Sequence, residues 1–279
     1  MGRLRRDPYS IYARRILRLN PIDGFNTDPG AADRGTLYHR IIELYTREGH
    51  VPGTPASIEA MQRVLNACFD EEHLPAHIEV VWRPRFEAVS RSFIDWEKER
   101  YPEVKRSHTE ARAGMEIPAA GIRLTGIADR IDIKTSGLAD IIDYKTGLSP
   151  SVQQARSLLD PQLALEAAAL RNNAFRDVGS PEPENLIYVR LRPGDRFKAD
   201  QVNNEHSTRT GKKPPKSAIE LAIDSIEQLE KFVTLLKRGD HGFSSRLIPE
   251  EQQAYGGEYD HLARVAEWST AEAGDADVE

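Results

Sequence analysis

A chain of 279 residues, 39% hydrophobic and with a net charge of −6, has enough apolar material for one sizeable core. It contains no run of eighteen apolar residues and no signal-like start, so membrane and secretion readings fall away and the cytoplasm is the expected location. The acidic balance also argues against a protein that coats nucleic acid, and one cysteine, Cys68, excludes an internal disulfide.

Residues 1–20 carry six arginines against one aspartate, a local patch able to guide a polyanion or simply to solubilise the surface. Apolar spacing predicts a mainly helical first third: Tyr9 to Leu19, Gly35 to Thr46, Ser57 to His73, and His77 to Glu99 broken near Pro84. Pro75, Pro84 and Pro102 mark its joints. In the second of these, Leu37, Ile41, Ile42, Leu44 and Tyr45 form the buried stripe after a Gly35-Thr36 start. His39 and Glu43 are four apart and share one side.

Thr109 to Ile117 reads as a strand carrying Glu110, either a surface residue or one aimed at a neighbouring site. Two further strand-like runs, Ile122 to Lys134 and Leu138 to Lys145, are separated only by Thr135-Ser136-Gly137, a hairpin loop in which glycine supplies an unusual backbone angle. With the turn centred on Ser136, residues whose numbers sum to 272 face each other, so Asp129 lies opposite Asp143 and Ile131 opposite Ile141. Alternation then puts Lys145 on the face of Asp143, so Asp129, Asp143 and Lys145 share one face. A slip of one residue would turn Asp129 away. Two carboxylates roughly 5 Å apart repel unless a cation lies between them, and hard oxygen ligands suit Mg²⁺ or Mn²⁺. Such an ion polarises a phosphate, and an adjacent ammonium offsets the charge that builds on it. This is the equipment of phosphodiester cleavage, with His39 as a further ligand because imidazole can complete a carboxylate site.

Beyond the hairpin, Asp160 and Pro161 predict the N-cap and first turn of a helix through Leu170, with Gln162 and Glu166 one turn apart at its start. Asn185 to Leu191 is another strand, and the order strand, strand, helix, strand describes an α/β core. Arg190 to Lys216 holds eight basic residues against three acids, within which Asn203 to Pro215 has little to pack and is expected to be a mobile loop. A last helix, Ser217 to Lys237, presents Ile219, Ile223, Ile226, Leu229, Phe232, Val233 and Leu236 as a broad stripe. The acidic end, Ala271 to Glu279, is expected to fray.

The ordered set Gly35-Thr36-Leu37-Tyr38-His39, Gly126-Ile127-Ala128-Asp129-Arg130-Ile131-Asp132, Asp143-Tyr144-Lys145-Thr146-Gly147 and Gln162 resembles the successive motifs of the RecB-type nucleases in the PD-(D/E)XK superfamily. The opening Arg5-Arg6-Asp7-Pro8-Tyr9 and the late Tyr259-Asp260-His261-Leu262 resemble, more closely, the C-terminal nuclease regions of the alphaproteobacterial AddB family, over about residues 3–268. The resemblance implies a restriction-endonuclease-like core with a central mixed sheet flanked by helices. It also implies metal ligation by His39, Asp129, Asp143 and the backbone carbonyl of Tyr144, with Glu110 as a further candidate. Lys145 would be the catalytic lysine, alongside Asp129, Asp143 and Gln162. Glu166 stands where the family's Gln-x-x-x-Tyr motif has its tyrosine. The implied activity is Mg²⁺- or Mn²⁺-dependent cleavage of DNA during double-strand break resection, on the unwound 5′-ended strand, beside an AddA-like helicase-nuclease subunit. The chain would then be a fragment, with Met1-Gly2 an added start; separated from its helicase partner it would serve, alternatively, as a binding and scaffolding piece. Many relatives close the domain with four cysteines on an iron-sulfur cluster, which Cys68 alone cannot build, and no Gly-x-x-x-x-Gly-Lys-Ser/Thr loop supports helicase activity. The expected organisation is a helical region at 1–105 contributing His39, a nuclease core with closing helix at 106–268 and a disordered tail at 269–279, together forming one structural unit.

Overall fold

Asp7 accepts a hydrogen bond from the Ser10 amide at 3.3 Å and Pro8 occupies the first helical position, which separates two short helices, α1 (Gly2–Arg6) and α2 (Pro8–Ile11). A π-helical turn, Tyr12–Ile16, follows, so the helix expected through Leu19 stops early, with Arg18 at φ 58°. The computed structural model describes residues 2–20, 28–203, 216–239, 242–248, 257–265 and 267. Most of the expected loop at 203–215 and the whole expected tail at 271–279 lie outside them. The chain divides into two units, 1–27 with 231–279, and 28–230. The first is held by Tyr12 stacking on Phe243 with centroids 5.1 Å apart, by the Tyr259 hydroxyl donating to Leu19 O at 2.6 Å, and by the Ile248 amide on Arg6 O at 3.1 Å.

The second unit begins with three long helices, α3 (Ala31–Glu48), α4 (Pro55–Glu72) and α5 (Ala76–Arg100). Gly35 does not start α3 but lies inside it, and a Cβ there would stand 3.1 Å from Thr146 Oγ1. The glycine is a point of close approach rather than a helix boundary. Pro84 does not break α5 either. It lies on the exposed side, where the carbonyl that loses its partner belongs to the exposed Val80 and can be hydrated, while Trp82, Phe86, Val89 and Phe93 pin both flanks into the core.

Five strands follow: β1 (Val104–Ile117), β2 (Ile122–Lys134), β3 (Ala139–Lys145), β4 (Pro183–Arg190) and β5 (Lys198–Gln201). They lie in the order β1-β2-β3-β4-β5, all neighbours antiparallel except the parallel pair β3 and β4. The hairpin register is the expected one, with Arg130 opposite Ile142, Ile131 opposite Ile141 and Asp132 opposite Asp140. Gly137 takes φ 87° in its loop. Between β3 and β4 the chain crosses over through α6 (Val152–Arg156) and α7 (Gln162–Arg171), as a parallel pair requires. Pro161 rather than Asp160 caps α7, because the Asp160 carboxylate accepts the Tyr188 hydroxyl at 3.2 Å instead.

The sheet is covered on both faces, which is why β3 is apolar along nearly its whole length. On one side Ile142, Tyr144, Ile187 and Val189 pack with Leu37, Ile41, Phe69, Phe86 and Phe93 of the three long helices. On the other, Ile131, Ile141, Leu186 and Tyr188 meet Leu163, Ala167 and Leu170 of α7, and Leu221 and Ala222 of α8 (Ala218–Lys237), whose residues up to Glu230 belong to this unit. The buried stripe of α8 is Ala218, Leu221, Ala222, Ser225 and Leu229; of the expected stripe Leu229 is buried and Ile226 packs against this core, while Ile223 is exposed. Small residues let the helix come close to the sheet. Asn203 is also buried: its Oδ1 accepts from the Leu186 amide at 2.8 Å and its amide donates to Glu184 O at 2.6 Å. Among the described residues no helix is long and apolar enough to cross a membrane.

Candidate active site

The ladder between β2 and β3 ends at Arg130 and Ile142, one residue short of the two carboxylates. Where the next pair would form, the Asp129 side chain substitutes for a backbone acceptor and takes the Tyr144 amide at 2.8 Å. The same oxygen lies 3.4 Å from Nδ1 of His39, which α3 delivers from above. The His39 ring meets the Tyr144 ring edge-on, with centroids 5.9 Å apart, and a hydrogen bond to the Tyr144 backbone orients it. Across the strand end, the Lys145 ammonium reaches Asp143 Oδ2 at 2.6 Å and Gln162 Oε1 at 3.0 Å, and stands 5.5 Å from the centre of the Tyr188 ring. Gln162, at the first position of α7, donates to Asp143 Oδ1 at 2.5 Å and to Glu166 Oε1 at 3.2 Å. His39, Asp129, Tyr144, Asp143, Lys145 and Gln162 are thus drawn into one chain of contacts between α3, the hairpin and α7.

Glu110 lies on β1 between the pairs Thr109–Arg130 and Ala111–Ala128, held at φ 49°, a backbone region costly for a residue with a Cβ. Burial raises its carboxyl, and the charges of Asp129 and Glu43 raise it further, so it faces the same acidic neighbourhood.

Burial dominates the electrostatics. It pushes Asp143 up to about 6, with the Lys145 ammonium pulling back and the Asp129 charge adding to the rise. Asp129 is raised for the same reason, opposed by the Tyr144 amide and by Lys145. His39 is lowered by burial, which keeps its imidazole neutral and fit to donate a lone pair. Glu166 is driven far above the usual carboxylate range by burial and by Asp143, and its Oε2 has no hydrogen-bond partner among the described residues.

A buried carboxylate and a half-buried one, both raised toward the protonated form, beside a neutral imidazole make a donor set suited in kind to a hard divalent cation. Among the described residues no three His, Cys, Asp or Glu side chains stand arranged to hold an ion. The oxygens of Asp143 are engaged by Lys145 and Gln162 instead. Sequence reasoning gave no role to Tyr188 or to the partner that Glu166 finds in Gln162. The signal for Tyr188 was its place as the one hydroxyl in the apolar run Leu186 to Val189.

A mixed sheet flanked by helices, with a splayed hairpin presenting these carboxylates and a lysine, is the restriction-endonuclease-like core. The family model described as the PD-(D/E)XK nuclease superfamily matches residues 3–254, and the chain belongs to that superfamily. Among curated proteins it is similar to an uncharacterized protein of Rickettsia bellii, 30% identical over 172 residues, covering 61% of this chain and 21% of that one. It is also similar to uncharacterized protein RT0391 of Rickettsia typhi, 32% identical over 176 residues, covering 61% of this chain and 20% of the relative. The matched region thus spans about a fifth of these relatives' length. Among solved structures, the chain described as "Crystal structure of SSO0001" aligns over 79% of this chain and 81% of its own at 15% identity, with a TM-score of 0.29.

Proposed function

We propose that this chain is the nuclease module of an AddB-like subunit, hydrolysing DNA phosphodiesters during double-strand break resection, on the unwound 5′-ended strand and beside an AddA-like helicase-nuclease. The observation that carries the reading is the Lys145 ammonium bridging Asp143 and Gln162, next to a half-buried Asp129 that His39 approaches. Asp129, Asp143 and His39, with the Tyr144 carbonyl and Glu110 nearby, would hold Mg²⁺, for which Mn²⁺ can substitute. A divalent ion supplies charge neutralisation and Lewis acidity at the scissile phosphate when bound.

The chain's own residues do the rest. The Lys145 side chain is held from three sides, by Asp143, Gln162 and the Tyr188 ring, so its charge is positioned in advance for the negative charge that grows on the phosphoryl oxygens. Gln162 fixes the Asp143 carboxylate from α7, so a change there loosens both Asp143 and Lys145. Glu166, kept protonated by burial, adds no charge to the site and accepts the second hydrogen bond of the Gln162 amide.

The test is Mn²⁺-dependent cleavage of a labelled single strand by the parent chain and by Lys145→Ala. Loss of cleavage with retained fold and retained Mn²⁺ uptake supports the proposal. Undiminished cleavage by the variant refutes it. The matched region is about a fifth of the relatives and both Asp143 oxygens are already engaged, which favours as a second reading a piece that is inert alone. That reading predicts cleavage only when the helicase partner is added.

A further inference from the structure

Where β3 and β4 end side by side, the chain leaves the sheet through Thr146-Gly147-Leu148 and through Leu191-Arg192-Pro193, and the two exits border a cleft of about 320 Å³. Carboxyl ends of parallel strands are the usual place for a ligand. Four arginines converge on this one from three elements: Arg34 in the first turns of α3, Arg85 in α5, and Arg192 and Arg196 after β4. Among the described residues no Asp or Glu lines the cleft and none of the four arginines has a carboxylate partner.

Two of the four are held in place by other means. Arg34 lies over the Trp82 ring at 5.9 Å, and Arg192 donates to Gly147 O at 2.7 Å, leaving guanidinium donors for a ligand. Arg85 and Arg196 are exposed. The floor is continuous with the site, since Thr146 follows Lys145 directly and α3 abuts Thr146 at Gly35. Four guanidiniums in one concavity, with no carboxylate partner among the described residues, are a phosphate-binding arrangement, and a nucleotide backbone passing Lys145 would enter this cleft next.

We propose that this arginine cleft binds the backbone phosphates of the DNA strand immediately beside the phosphate cut at Lys145. The inference deepens the nuclease reading and rests on it. Its test is the affinity of a fluorescein-labelled oligothymidylate for the full chain, read by anisotropy in EDTA across a salt series, for the parent and for the double variant Arg85→Gln, Arg196→Gln. Both residues are exposed and have no carboxylate partner among the described residues, so the fold is preserved. Loss of two phosphate contacts lowers the slope of log K against log salt by about 1.4 and weakens binding roughly twentyfold at about 0.1 M salt. Unchanged affinity and slope overturn the proposal, while cleavage by the parent in Mn²⁺ would leave the nuclease reading standing. A parent that neither cleaves nor binds the strand sinks both. Competition by inorganic phosphate or thymidine monophosphate as strong, per molecule, as by the oligonucleotide would identify a small-molecule phosphate site and also overturn it.

Discussion

Replacing Asp143 by asparagine should stabilise the metal-free protein above about pH 6, because the parent keeps a buried carboxylate that its surroundings do not fully compensate. The folded chain raises this carboxyl from its ordinary 3.8 to about 6, chiefly by burial, in spite of the Lys145 ammonium at 2.6 Å. Below the unfolded value both states carry the proton and the group costs nothing. As pH rises the unfolded chain releases its proton first, so stability falls until the folded chain follows at about 6, and the penalty is constant above that. At about 1.4 kcal/mol for each tenfold change in proton affinity, the penalty is about 3 kcal/mol. Asparagine is neutral but presents an amide where Lys145 and Gln162 now both donate, so one donor must turn away at a cost of about 1 kcal/mol. The net gain at about pH 8 is about 2 kcal/mol, or roughly 4–8 °C in Tm for a unit of this size. Near pH 4 the gain vanishes or turns into a loss of about 1 kcal/mol. Urea unfolding in EDTA at the two pH values measures the difference directly. A variant less stable than the parent at the higher pH, or one whose difference is the same at both, refutes the reasoning. Added Mn²⁺ should stabilise the parent and leave the variant unmoved.

Pro84→Ala should raise the melting temperature, since it restores an amide donor for the Val80 carbonyl on an exposed helix face; a gain of about 1–2 kcal/mol, part of the ~3 kcal/mol proline penalty, is expected in urea unfolding, and no gain would mean α5 is already relaxed there. Arg130→Met should cost about 3–5 kcal/mol, because it strands Asp132 and Glu97 without their main partner in the core. A loss under about 1 kcal/mol in the same assay would show that the buried ions are not confined as drawn.

The hairpin was legible because its information is local: period-two alternation, a three-residue loop with glycine, and apolar positions on both faces determine which residues are paired. The hairpin pattern alone brought Asp129, Asp143 and Lys145 together, whereas the arrival of His39 and Gln162 beside them rested on resemblance to an ordered motif set, since nothing in the spacing of α3 says where it docks. What stayed hidden was decided by tertiary contacts. Pro84 is tolerated because α5 is anchored at Trp82 and Phe86, Gly35 is needed by Thr146 and not by its own helix, and Asp160 is diverted from capping by Tyr188. The buried face of α8 reflects the same limit: Leu229 and Ile226 of the apolar stripe meet the core, but Ala218, Leu221 and Ala222 fit the gap against the sheet. β5 is four residues long, with Ala199 as its one apolar residue and no alternation to find, and it forms because β4 offers it an edge.

The back of the hairpin explains how its front can carry repelling carboxylates. Asp132 and Asp140 are direct cross-strand partners, a like-charged pair that should push β2 and β3 apart. Arg100 inserts one nitrogen between them, 2.9 Å from Asp132 and 3.0 Å from Asp140, while its ring-facing side lies 4.5 Å from the centre of Trp96. Arg130 takes the other Asp132 oxygen at 2.7 Å and Glu97 at 2.9 Å, and its third contact is the Tyr144 hydroxyl at 3.3 Å. A slip of the strands by one residue would leave two guanidiniums and three carboxylates buried without their partners, a loss far larger than the repulsion it relieves. The network therefore sets the register at Asp132–Asp140, and that register puts the Tyr144 amide within reach of Asp129, just beyond the ladder's last pair, Arg130–Ile142. The position of Asp129 is fixed from the opposite face of the sheet, by ions that lie outside the candidate site.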